Sequence, residues 1–203
     1  MFKSKSGKAA VSGQRTALAA SVALLGIWGI TGMARADIIN WDANGGTGGD
    51  WSVGNSWLDT TKSTRGSVPT IADTAQITGH STAVAPVTIT AAEVAGALIV
   101  GPRIGATNYT GYLNMQADLT LSGAFTLHGG GTGYVTQSAG TLTAASFALS
   151  NYSNSGGTGT YTLSGTGTVN VAGALSAAGS TGSKFIQSGS GTSAQFGSIT
   201  TGN

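Results

Sequence analysis

Tyr161-Thr162-Leu163-Ser164-Gly165-Thr166-Gly167-Thr168-Val169-Asn170-Val171-Ala172-Gly173-Ala174-Leu175 is the stretch whose reading decides the fold. An aromatic residue opens it, and an aliphatic one closes it fourteen positions later. The same frame recurs degenerately as Val84/Leu98, Leu113/Leu127, Val135/Leu149 and Phe185/Ile199. Its last five letters, Val171-Ala172-Gly173-Ala174-Leu175, repeat Val94-Ala95-Gly96-Ala97-Leu98. Frame starts lie 22, 26 and 24 residues apart from Leu113 onward, and 29 apart before it. A fixed frame with variable inserts is what stacked coils produce, because each coil must match its neighbour while its loops are free to vary.

At ~3.3 Å per extended residue, one such period has a contour of roughly 70–85 Å. That suits two or three short strands with turns between them. Helical periodicity is absent, and glycine and β-branched residues oppose helix throughout. The expected fold is therefore all-β, a parallel β-solenoid of about five short coils. Val, Leu, Ile, Ala and Thr fill its interior, with Phe125 and Phe147 among them. The repeats occupy 81–203, with a long insert between Pro102 and Gly111. Gly, Ser, Thr and Ala dominate this part, a composition shared with flexible linkers. A linker, however, has no reason to keep apolar residues in register.

Residues 1–36 read as a signal peptide. Lys3, Lys5, Lys8 and Arg15 form a basic start, Ala17 to Ile30 is apolar and uncharged, and Ala34-Arg35-Ala36 supplies small residues for cleavage before Asp37. The competing reading is an uncleaved membrane anchor. Of the nine basic residues, five lie in this segment. The mature chain keeps four bases against seven acids, a formal charge of −3 in place of +2. No basic patch remains to neutralise phosphates, which argues against nucleic acid as a partner. Cysteine is absent, so burial and backbone pairing must hold an exported chain together.

Residues 37–80 stand apart. They hold Trp41, Trp51 and Trp57, together with Asp37, Asp42, Asp50, Asp59 and Asp73. Ile38 to Trp41 and Asp73 to Ile77 read as short strands separated by glycine- and proline-marked turns. Large rings near the N-terminus suit a cap over the open end of the first coil. At the other end, no charged, proline-bearing or aromatic segment follows Ile199, so self-association through the final coil is expected.

Asn40-Trp41-Asp42, Gly49-Asp50-Trp51-Ser52, Ser56-Trp57, Val68-Pro69 and Asp73-Thr74-Ala75 resemble the N-terminal region of bacterial autotransporter-associated β-strand repeat proteins. Gly159-Thr160-Tyr161-Thr162 and Gly167-Thr168-Val169-Asn170-Val171 look like the coils of that family. The resemblance implies a right-handed solenoid exported to the surface of a Gram-negative bacterium. That family's membrane barrel and Pro-Glu-Pro sorting tail have no counterpart in these 203 residues, so a truncated product is expected.

Chemistry is sparse. Between Leu119 and Asn203 the only charged residue is Lys184, so the later coils cannot gather the carboxylates that polysaccharide-cleaving solenoids use. A hydrolytic pair could come only from the N-terminal acids, whose Gly- and Asn-rich surroundings read as Asx turns. His80 and His128 lie beside turn residues and read as exposed. Asp42 to Asp50 opens like a calcium loop but lacks the later ligands, including glutamate where Val53 stands. No cofactor is expected. Threonine is abundant enough to invite an ice-binding comparison, yet the frame places Leu121, Thr143, Val169 and Ser193 in one column, a broken array. The expected function is structural or adhesive and non-enzymatic, secreted or surface-displayed. The alternative is a carbohydrate-binding module that stacks extracellular glycans on Trp41, Trp51 and Trp57.

Overall fold

The computed structural model describes residues 36–43, 46–150, 157–177 and 182–201. The described residues belong to one compact unit, Met33–Asn203. The expected leader lies outside them, apart from Ala36.

In chain order, the N-terminal region forms β1 (Ile38–Trp41), β2 (Gly49–Asp50), a 3-10 turn at Gly54–Ser56, β3 (Trp57–Asp59), β4 (Thr64–Arg65) and β5 (Thr74–Ile77). Next come β6 (Val87–Ile89), β7 (Glu93–Ala95) and β8 (Ala97–Ile104), whose end folds back on β9 (Thr107–Asn108). The following coil is β10 (Thr110–Met115), β11 (Leu119–Leu121) and β12 (Ala124–Gly129), then β13 (Thr132–Gln137), β14 (Thr141–Ala144) and β15 (Ser146–Ala148). In the last two coils the second and third strands fuse, giving β16 (Gly159–Leu163) with β17 (Thr168–Ser176) and β18 (Lys184–Gln187) with β19 (Ser193–Thr200). Stacked parallel coils thus make a β-solenoid of about four turns.

Three faces result. The first stacks β2, β6, β10, β13, β16 and β18; the second stacks β7, β11, β14 and the start of β17; the third stacks β5, β8, β12, β15 and the end of β17. Period-two alternation turns one side of each strand inward, and those residues form one core.

The frame openings fall where expected: Leu113, Val135, Tyr161 and Phe185 are paired directly, coil to coil. Three positions differ. Val84 is 96% exposed, and Val87 takes the place beside Leu113. Phe125 and Phe147, two residues before Leu127 and Leu149, form the closing column with Leu98, Leu175 and Ile199. Leu127 and Leu149 are buried too, since residues two apart share a strand face.

The repeated pentapeptide shows how sequence and register part. Gly96 and Gly173 sit at the same corner, where an added Cβ would lie 2.8 Å from the Asp73 carbonyl oxygen or 2.6 Å from that of Ala145. Leu98 and Leu175 also share a column. The preceding letters do not correspond: Ala95 and Val171 point inward, whereas Val94 is 43% exposed. One extra residue at the β17 corner, where the pairing slips between Val171 and Ala174, accounts for the offset.

Region 37–80 is less a separate lid than an irregular first coil. Its β2 joins the first face and its β5 the third, while β1 pairs parallel with β5 and carries the antiparallel β3 and β4 outside it. Deep in the later coils, the buried Tyr161 hydroxyl donates to Gln137 Oε1. Gln137 Nε2 in turn donates to the carbonyls of Gly140 (2.8 Å) and Thr168 (3.0 Å), so this buried amide is satisfied on both ends.

Candidate functional site

Trp41, Trp51 and Trp57 converge under β1 and β3, each with no exposed surface. Trp57 packs edge-on to both others, at centroid distances of 5.0 Å to Trp41 and 4.6 Å to Trp51. Its indole N–H donates to the Trp51 carbonyl at 2.7 Å. Burial of this kind suits a plug and leaves no indole face on which a sugar could stack.

The surface rings are elsewhere. Tyr112 and Tyr134 occupy matched outward positions on β10 and β13 and stack at 4.9 Å, with their planes 14° apart. They line a groove of about 490 Å³ with Ala83, Pro86, Asn114 and Thr136. Among the described residues, none that lines it is charged. Each tyrosine directly precedes a frame opening, Leu113 or Val135. Their stacking follows from register, which only the parallel pairing defines.

A second cleft, of about 570 Å³, opens beside the N-terminal strands. Asp37, Asp59 and Asp73 line it, all at most 9% exposed. Lys62 Nζ donates to Asp37 Oδ2 and, at 2.9 Å, to Asp59 Oδ2. These hydrogen bonds hold the Asp59 carboxyl below its ordinary range and push the lysine up. Asp73 receives the Asp37 amide on Oδ1 (3.1 Å), and Thr70 N–H and Oγ1 on Oδ2 (2.8 and 2.6 Å).

The acids of the calcium-like loop are otherwise engaged. Asp42 accepts from both terminal nitrogens of Arg65. Asp50 accepts from Ser52 N–H and Oγ and from Thr90, and these hydrogen bonds, that of Ser52 foremost, hold its pKa below the ordinary value. Asn44 and Gly45 lie outside the described residues. Among the described residues no group of three or more His, Asp or Glu is placed to hold a metal ion.

Glu93 went unnoticed in the sequence. Burial raises its pKa, and the charge of Asp50 adds to the shift. Sequence spacing gave no hint that Asp50 and Glu93 influence one another, since they lie on successive coils.

The threonine columns are broken, as expected, although their members differ. The second face presents Thr120, Thr143, Asn170 and Gln195 in register, and the first face Thr88, Asn114, Thr136, Thr162 and Ile186.

The two histidines behave differently. His80 is exposed, as its turn context predicts. His128 is fully buried, a correction to its expected exposure. It stands at φ +69°, and its Nδ1 lies against the Gly131 carbonyl; a carbonyl only accepts, so Nδ1 carries the proton. Burial lowers the pKa of this ring, with the Gly131 bond opposing the shift. The neutral form is thus favoured on folding. Its contribution is complete above the unfolded value of about 6.5 and is lost as pH falls below it. Thermal midpoints followed from pH 8 to pH 5 should drop below about pH 6.5. The drop should shrink in His128→Asn, because asparagine tolerates positive φ and does not titrate.

No protein-family model, curated protein or solved structure matches this chain.

Proposed function

We propose that this chain is an exported, structural or adhesive β-solenoid that presents an uncharged hydroxyl- and amide-rich surface outside the cell. The observation that supports this most is the register itself. From β6 to β19, consecutive coils pair strand on strand while their outward positions are mostly Thr, Asn, Gln, Tyr and Ser, with Val94, Lys184 and Ile186 among them. Such stacking makes a scaffold rigid along its axis and indifferent to outward substitutions. The leader-like 1–36 segment and the resemblance to autotransporter-associated repeat proteins supply the reading of export. Expressed in a Gram-negative host, the protein should be recovered outside the cytoplasm with Asp37 as its first residue. Recovery in the membrane fraction with residues 1–36 attached would overturn the export reading.

A second reading, glycan binding, draws on the Tyr112–Tyr134 groove rather than on the tryptophans. Stacked rings beside Asn114 and Thr136, with no charge among the described residues that line the groove, suit a neutral saccharide better than an ionic ligand. A glycan array probed with wild type and Tyr134→Ala separates the two. Binding lost in the variant supports the second reading, and no binding by either protein supports the purely structural one.

A further inference from the structure

We infer that the cleft beside β1 holds a site for a primary ammonium group, the chain's own α-amine at Asp37 after leader removal, with Asp73 as its counter-ion. The inference rests on the export reading above.

The nitrogen concerned is already in place. The Asp37 backbone N–H donates to Asp73 Oδ1 at 3.1 Å, across 36 residues of sequence. Parallel pairing of β1 with β5, which sets Ile38 against Thr74, brings the two together. The Asp37 carbonyl accepts from Thr74 N–H at 2.8 Å, so the position of this residue is fixed from its C-terminal side. Asp73 is fixed independently, through Thr70 on its other oxygen. Ala36 is exposed while Asp37 is buried, so the bond to be cut lies where the strand meets the surface.

Hydrolysis adds water across the Ala36–Asp37 peptide bond. The new carboxylate leaves with the leader, and the new amine stays and takes a proton. Before the cut, three carboxylates, Asp37, Asp59 and Asp73, face one cation among the described residues, Lys62, in this cleft. After it, a second cation sits against Asp73, and an amide–carboxylate hydrogen bond becomes a charge-assisted ion pair. The ordinary α-amino pKa is about 7.7–8.0, and this environment raises it. The added stability is therefore complete below about pH 7.7 and lost as pH rises through the raised value. Removal of the leader thus tightens β1 on β5, directly over the tryptophan plug.

The test is trace acetylation of the exported protein, read by mass spectrometry at the N-terminal peptide. At pH 8 the folded α-amine should react roughly fivefold more slowly than that of a short peptide with the same first residues, the effect of about a one-unit rise. Unfolding wild type in urea should restore the peptide rate, and Asp73→Asn should do so without denaturant. The urea arm decides the matter even where the variant fails to fold. Labelling of the folded protein at the peptide rate, with Asp37 as first residue, overturns this inference alone. A different first residue overturns it together with the export reading.

Discussion

Replacing Trp57 by alanine should destabilise the protein by about 3–5 kcal/mol, the range for large-to-small changes in a packed core. Its ring lies between those of Trp41 and Trp51 and is fully buried, so truncation leaves a cavity under β1 and β3 and parts the two remaining rings. The Trp51 carbonyl also loses its indole donor. Trp51→Phe makes a useful contrast. The Trp51 indole N–H is buried without an acceptor among the described residues, so phenylalanine removes no hydrogen bond there and should cost less than Trp57→Ala. Denaturant unfolding followed by far-UV circular dichroism, which does not depend on the removed fluorophore, measures both. A Trp57→Ala variant within about 1 kcal/mol of wild type would show that the cluster does not hold the first coil together.

The burial of the tryptophans was legible because three large rings in a short, turn-rich segment have little else to do than pack together. The openings at Leu113, Val135, Tyr161 and Phe185 were legible for a related reason: each begins an alternating run two places after a small residue, Gly111, Gly133, Gly159 or Ser183. The closing column was not. Phe125 and Leu127 both face inward, as do Phe147 and Leu149, and a period of two cannot choose between them. The corner slip at Val171–Ala174 is equally silent in sequence, since the pentapeptide before Leu98 and Leu175 is identical while its register is not.

What the sequence hid most completely depends on contacts between coils. Tyr161 meets Gln137 across 24 residues, and Asp37 meets Asp73 across 36. No local motif encodes either pair. His128 shows the same limit in reverse: His-Gly-Gly-Gly reads as an exposed turn, and the chain folds that turn inward with the ring satisfied by Gly131.

The final coil should behave as a sticky edge. Among the described residues, β18 pairs only with β16 and β19 only with β17. Burial falls accordingly: Tyr161 and Leu175 are 0% and 6% exposed, whereas Ile199, in the Leu175 column, is 67% exposed and Ile186 is 42% exposed. Phe185 and Phe196 are only half-buried. An unpaired parallel edge with apolar residues beside it offers hydrogen-bonding groups to any similar edge. The chain should therefore self-associate as concentration rises. Phe196→Lys or Ile199→Lys should suppress the association with little loss of stability in the coils before it, because charge on an edge disfavours pairing.

Hydrogen exchange across the coils, measured at several protein concentrations, tests the solenoid account most directly. Amides of β10, β13 and β16, each paired on both sides, should be the best protected. Those of β18 and β19 should exchange fastest in dilute solution and slow as concentration rises. Equal protection of β16 to β19 in a protein that sediments as a strict monomer at every concentration would contradict the account, because the last coil would then be covered by something within its own molecule.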